Sequence, residues 1–199
     1  KEPNFMGMAF MGITHAPFAR TLAQFDKYKG KTWDDGFKNT LYFSDWSIGE
    51  FLKKAKEDGW FDDTIFVFVS DHTSGGPGSD SLYNKFRIPM VIYAPKILKP
   101  RKVEYVVSQL DIIPTLYNLL GLNAPYTSLG RDMLDDTNAQ DRVALISEGV
   151  NIGLITAKGA IRHTRKELLE VEKLSEDFDE KQAQETLLAL DKAAYTLLK

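Results

Sequence analysis

Asp71 and His72 are the residues in this sequence whose types and adjacency most directly offer metal chemistry. A carboxylate oxygen and an imidazole nitrogen are both suitable ligands for Zn²⁺ or Mn²⁺. Adjacent residues of an extended strand point to opposite faces, so the two can share one ion only where the strand has ended and the backbone is turning. The glycine-rich stretch from Thr73 to Gly78 offers such a turn. The plainer alternative is that Asp71 caps a loop and His72 is merely exposed.

His15 is the next candidate. It follows an apolar run and precedes Pro17, which biases Ala16 to an extended conformation. A histidine there can bind a phosphate or sulfate oxygen or donate to a leaving group; otherwise it is a loop histidine bonded to backbone. His163, in the basic stretch Arg162-His163-Thr164-Arg165, has no carboxylate motif nearby and is expected at the surface. Ser70, Thr73, Ser74 and Ser79 lie near the first pair, but no G-x-S-x-G elbow surrounds them, and none is nominated as a nucleophile. The Gly75–Gly78 run lacks the lysine and following Ser/Thr of a P-loop and reads as a flexible rim.

The elements that must hold these residues come from short apolar runs. Phe5–Ile13, Thr64–Ser70 and Ile88–Ala94 have the character of strands buried on both faces, as in a parallel sheet. Between the first two, a helical pattern runs from about Thr40 to Glu57, with Leu41, Ser44, Ile48, Phe51, Leu52 and Ala55 inward and Gly59 as its stop. Strand, helix and strand in this order predict a right-handed crossover, which would bring His15 and the Asp71-His72 pair to one sheet edge. A second helix starts at Asp111 as N-cap, with Pro114 in its first turn, Gly121 past its end, and Ile113, Leu116, Tyr117 and Leu120 as its apolar face. Val143–Glu148 and Ile152–Ala157 read as two more strands. From about Arg165 the chain reads as helical, with a stripe of Leu187, Leu190, Ala194 and Leu198 that packs on the domain edge.

Composition bounds the function classes. The chain has 199 residues, 25 Lys+Arg against 28 Asp+Glu, and 43% hydrophobic residues. That suits one α/β domain and argues against a nucleic-acid footprint, while leaving a small anionic substrate open. There is no cysteine, hence no disulfide, thiolate metal site or cysteine nucleophile in this sequence. No apolar run approaches the ~20 residues that span a bilayer. The chain begins with Lys1 and enters an apolar run almost at once, so it reads as a piece of a longer protein cut just before a core strand.

The order of segments resembles the alkaline phosphatase/sulfatase superfamily. Leu41-Tyr42-Phe43-Ser44-Asp45-Trp46-Ser47-Ile48-Gly49-Glu50-Phe51-Leu52 resembles the helix before the metal strand of sulfatase-like enzymes. Gly59, then Asp62-Asp63-Thr64-Ile65-Phe66-Val67-Phe68-Val69-Ser70-Asp71-His72, looks like their G-x-x-D-(N/D)-T-strand-S-D-H pattern. Phe86-Arg87-Ile88-Pro89 resembles their R-(I/V)-P strand, Asp111-Ile112-Ile113-Pro114-Thr115-Leu116 their D-(I/L)-x-P-T-L helix start, and Leu129-Gly130-Arg131-Asp132 the segment after it. Thr14-His15-Ala16-Pro17-Phe18 resembles the (S/T)-H-x-P-(F/Y) motif of phosphoglycerol and phosphoethanolamine transferases. These motifs cover about the first two-thirds of the chain; the tail after about Val150 carries no clear resemblance.

The resemblance implies an alkaline-phosphatase-like α/β/α sandwich with a mainly parallel central sheet, incomplete at its N-terminal end, of which residues 1–199 are the C-terminal part. It implies one divalent metal ion, Mn²⁺ or Mg²⁺ first and Zn²⁺ or Ca²⁺ as alternatives, with Asp71 and His72 as two ligands. The other ligands and the nucleophile would lie upstream, so this chain alone is expected to be inactive. His15 would hold the acceptor, leaving group or anionic oxygens. Pro89, Asp111 and Pro114 are architecture. The implied substrate is a phospholipid head group or another phosphate or sulfate ester, met at the extracytoplasmic face of a bacterial cytoplasmic membrane through segments outside this chain. Departures favour a one-metal phosphoglycerol transferase over a sulfatase: Thr73 stands where many sulfatases have Gly, and Lys85 is an awkward match for their substrate-binding lysine. No histidine has Asp four residues before it, as two-metal phosphatases require. A sulfatase, or a catalytically silent binding domain, are the alternatives.

Overall fold

Thr32 and Asp35 start the long helix of this protein by exchanging hydrogen bonds: the Asp35 amide donates to Thr32 Oγ1 at 3.1 Å and the Thr32 amide to Asp35 Oδ2 at 3.1 Å. The structure, a computed structural model, describes residues 4–18, 22–73 and 80–197. They form two compact units, residues 1–66 with 94–98 and residues 67–93 with 99–199.

In the first unit the capping box begins α1, Trp33–Glu57, two turns before the apolar periodicity does. Its end is as expected: Gly59 has φ +80°, its amide donates to Lys56 O, and Trp60 N reaches Ala55 O at 3.1 Å. The inner face is partly different. Ala55 is fully buried and Ser44, Ile48 and Leu52 are half-buried, but Leu41 and Phe51 are exposed. Asn39 and Thr40 are buried instead, because their polar groups are satisfied. Asn39 Nδ2 donates to Asp26 Oδ1 and Tyr28 O, its Oδ1 accepts from Tyr28 N, and Thr40 Oγ1 donates to Phe37 O.

The expected strand at Phe5–Ile13 is not formed. Residues 4–11 have no regular structure, Phe5, Met6, Met8 and Phe10 are 79–93% exposed, and Gly12–Thr14 is a short 3₁₀ turn. Apolar composition does not make a strand; a ladder needs a neighbour, and among the described residues no strand pairs with this segment. The crossover built on it is absent with it.

The other two apolar runs do pair. β1, Phe66–Val69, and β2, Met90–Tyr93, form a two-stranded sheet. They are partly rather than fully buried, with Val69 and Val91 exposed.

The second unit is dominated by an antiparallel meander of β3 (Val143–Glu148), β4 (Asn151–Thr156), β5 (Gly159–His163) and β6 (Leu168–Lys173), in that spatial order. The β3 reading holds to the residue, and Gly149 makes the turn at φ +60°. Side chains alternate. Ile152, Leu154 and Ile161 join Phe178, Ala183 and Leu187 on one face, under α4, Glu180–Leu197. Ala144, Ile155 and Ala160 meet Leu82 on the other, beneath α2, Leu82–Lys85.

The stretch expected to be helical from Arg165 is a bend and then the strand β6, with helix beginning only at Glu180. Glu170 faces Arg162 in register, 3.0 Å between Oε2 and Nη2, and Leu168 and Val171 pack on the core; ladder pairing and burial together outweigh the helical preference of Leu, Glu and Lys. The stripe on α4 does pack, through Leu187 and Leu190; Leu198 lies outside the described residues. Sheets and helices together make the α/β class that was expected, with an antiparallel meander in addition.

Candidate metal loop

β1 ends at Val69, so Asp71 and His72 stand where the backbone is already bending. That frees them from the opposite-face constraint of a strand. Both side chains are exposed, and Asp71 Oδ2 lies 3.5 Å from His72 Nε2. Asp71 Oδ1 accepts the His72 amide at 2.9 Å, which fixes the carboxylate. His72 Nδ1 sits 2.8 Å from Thr73 O. A carbonyl can only accept, so Nδ1 carries a proton, and in the neutral ring Nε2 is the nitrogen with the lone pair. Two electron-rich atoms facing each other repel unless a proton or a cation lies between them. Two ligands of a tetrahedral ion, each about 2.1 Å from it, stand about 3.4 Å apart, so the observed spacing fits a shared cation. Among the described residues, no group of three or more His, Cys, Asp or Glu that could hold a metal ion gathers, and Asp71 and His72 stand as a pair.

The loop is pinned on both sides. Ser70 N donates to Pro89 O at 3.3 Å, and Thr73 Oγ1 donates to Lys85 O at 2.6 Å. Thr73 thus braces the loop. Gln109 adds a contact that residue patterns do not announce: its Nε2 donates to Ser70 O at 2.9 Å and Asp71 O at 3.2 Å. The turn bearing Gln109, Gln109–Asp111, is closed by a second capping box between Ser108 and Asp111. Residues 74–79, which carry Ser74, Ser79 and the glycine-rich rim, lie outside the described residues.

Lys85 is engaged elsewhere. Its Nζ donates to Glu148 Oε1 at 2.5 Å, and Arg162 Nη1 donates to Glu148 Oε2 at 3.1 Å. The Lys85 hydrogen bond is the main cause that holds the Glu148 carboxyl below the usual range.

His15 is exposed in the first unit, with Nδ1 2.6 Å from Ala16 O, so its Nε2 is likewise the free nitrogen. Asp71 and His72 belong to the second unit. His163 corrects the surface expectation: it is 4% exposed in β5, and its Nδ1 accepts the Arg165 amide at 2.8 Å. The meander buries it, which a basic flanking sequence hid. Asp111, whose motif places it at a helix start, is buried at 6% exposure and is not the side-chain cap of α3, Ile112–Leu119. It serves the turn before, and Pro114 and Thr115 are the buried residues of α3 while Ile113 and Leu120 are exposed.

The Sulfatase family model matches residues 1–122 of this chain. Lipoteichoic acid synthase 2 of Bacillus subtilis is 27% identical over 139 residues, 60% of this chain and 21% of that protein. An arylsulfatase of Clostridium perfringens is 32% identical over 109 residues, 48% of this chain and 22% of that protein. A solved structure of a protein in the alkaline phosphatase superfamily from Vibrio parahaemolyticus matches with TM-score 0.71 at 25% identity, covering 92% of this chain and 47% of that one. Another, in complex with its substrate D-glucosamine-2-N,6-O-disulfate, matches at TM-score 0.55 and 20% identity, a likeness of fold, over 85% of this chain and 43% of that one. The chain therefore spans about a fifth of these curated relatives and under half of the solved structures.

Proposed function

Because this chain belongs to the sulfatase family of the alkaline phosphatase superfamily, we propose that Asp71 and His72 are two ligands of one divalent cation in an enzyme acting on phosphate-type esters. The observation that carries this reading is the approach of Asp71 Oδ2 to His72 Nε2 at 3.5 Å, with Nδ1 already committed to Thr73 O. The family resemblance favours Mn²⁺ or Mg²⁺ first, with Zn²⁺ or Ca²⁺ as alternatives; the carboxylate–imidazole pair by itself suits Zn²⁺ or Mn²⁺. Such an ion supplies a lowered nucleophile pKa and neutralises charge on the group transferred.

This chain's own residues would hold and orient. Asp71 and His72 present their ligating atoms from a braced loop. His15, its Nδ1 held by Ala16 O, offers Nε2 to an anionic oxygen, an acceptor or a leaving group. The nucleophile and remaining ligands are assigned to sequence outside this chain, which is read as the C-terminal part of one catalytic domain. On its own the 199-residue chain would be inactive.

Transfer of phosphoglycerol or phosphoethanolamine is the leading reaction. The Thr14–Phe18 motif and the similarity to a lipoteichoic acid synthase support it. The substrate would be a phospholipid head group at the extracytoplasmic face of the membrane, with anchoring segments outside this chain. Among the described residues, no helix is long and apolar enough to cross a membrane. Hydrolysis of sulfate esters is the second reading, favoured by the similarity to an arylsulfatase.

The test is the metal content of the intact protein beside Asp71→Ala and His72→Ala. Loss in both is expected; equal metal in all three would remove the ligand assignment. Assays on phosphatidylglycerol vesicles and on an aryl sulfate then separate the reactions. Turnover of the sulfate alone selects the sulfatase reading.

A further inference from the structure

We infer that Gln109 is a positioning residue for the Asp71-His72 loop: its one side-chain amide clamps the backbone so that the two ligating atoms converge. The inference rests on the metal reading above and deepens it. A primary amide carries two N–H groups, and here one nitrogen reaches two successive carbonyls, Ser70 O at 2.9 Å and Asp71 O at 3.2 Å. Those peptide planes set the direction in which Asp71 and then His72 leave the chain.

The clamp is itself rigidly mounted. Gln109 sits between Ser108, whose amide donates to Asp111 Oδ2 at 2.9 Å, and the buried Asp111. Asp111 is fixed in turn by the Arg131 amide at 2.7 Å. The exposed loop, held also at Ser70 and Thr73, thereby takes part of its geometry from a buried carboxylate through the Gln109 side chain. This supplies a role for the D-I-I-P-T-L segment beyond starting a helix.

Exposure decides what kind of residue this is. Gln109 and Asp71 are exposed and Ser70 is half-buried, so water can replace the amide at both carbonyls. Loss of Gln109 then costs little folding stability. What is lost is orientation, and removal of such supporting partners typically weakens metal binding about 10–100-fold.

The experiment compares Mn²⁺ affinity, metal-free melting temperature and metal-free amide exchange in the intact protein. The variants are Gln109→Met, which keeps the length but has no donor, Gln109→Lys, which restores one, and Asp71→Ala. Gln109→Met should raise the Mn²⁺ Kd about 10–100-fold while the metal-free melting temperature stays within about 2 °C. It should also speed exchange at the His72 and Thr73 amides. Gln109→Lys should recover most of the affinity. If Asp71→Ala abolishes binding while Gln109→Met binds as wild type, the positioning role is overturned and the metal reading stands. If Asp71→Ala binds as wild type, the metal reading itself fails. A fall in affinity matched by a fall in melting temperature, without rescue by Gln109→Lys, also overturns the role. Gln109→Ala replaces Gln109→Met should the latter not fold.

Discussion

The Arg131 amide donates to Asp111 Oδ1 at 2.7 Å, closing twenty residues of chain onto one buried carboxylate. The second oxygen of Asp111 accepts the Ser108 amide at 2.9 Å and lies 3.8 Å from Arg142 Nη1. The closure needs glycine at position 130, where a Cβ would stand 2.0 Å from Leu110 O. This explains in contacts why an L-G-R-D segment follows the D-I-I-P-T-L segment.

Asp111→Ala should therefore destabilise the protein by about 3–5 kcal/mol, because it strands the buried Arg142 guanidinium beside two unpaired amides. Gly130→Ala should cost about 1–3 kcal/mol by forcing the same closure open. Urea unfolding of both and of the double variant checks this. The two costs should overlap in the double variant, since each breaks the Arg131–Asp111 bond; simple additivity would contradict the arrangement.

Thr115 is fully buried, donating through Oγ1 to Asp111 O at 2.6 Å and accepting the Met133 amide at 2.9 Å. Thr115→Val keeps the shape and orphans that amide, at a cost of about 1–3 kcal/mol. Thr115→Ser retains the hydroxyl and should lie closer to wild type. Equal losses in the two variants would assign the effect to packing.

The Lys85–Glu148 pair gives a pH prediction. The Lys85 hydrogen bond, with a smaller part from Arg162, depresses the Glu148 pKa in the folded protein. As pH falls, the unfolded chain takes up that proton first, so the contribution is whole above the ordinary glutamate pKa and is lost as pH falls through the depressed value. Both side chains are over a third exposed, which limits the pair to at most about 1 kcal/mol. Lys85→Met should thus be less stable than wild type at neutral pH, and the difference should vanish as pH falls through the depressed Glu148 value. A difference that persists in acid would point to the lysine stem rather than its charge.

Leu187 is fully buried beneath the meander, among Ile152, Leu154, Ile161, Phe178 and Ala183. Leu187→Ala should cost about 2–5 kcal/mol, read by thermal or denaturant unfolding. A cost under about 1 kcal/mol would mean that α4 is not part of the cooperative core.

Part of the candidate site's local geometry was legible from residues. Asp71 and His72 stand in a bend past the end of a strand, as their adjacency required. The stop of α1 at Gly59 and the strand Val143–Glu148 follow from local chemistry that a short window carries. Gln109 was not legible, because an exposed glutamine announces no partner until the fold brings two carbonyls to it. His163 was misread for the converse reason: its basic neighbours suggested solvent, and pairing of Ile152 with His163 across β4 and β5 buried it.

What the sequence determined by itself is what caps and turn residues encode within a few positions: helix ends, hairpins and the bend that follows the strand before Asp71 and His72. What the tertiary structure decided is everything that needs a neighbour. The apolar Phe5–Ile13 run forms no strand among these residues because no ladder faces it, whereas the charged Leu168–Lys173 run does form one because Arg162 and Val171's partner Ile161 lie across from it. Backbone pairing and charge neutralisation are supplied from a distance in sequence, and no local pattern records them.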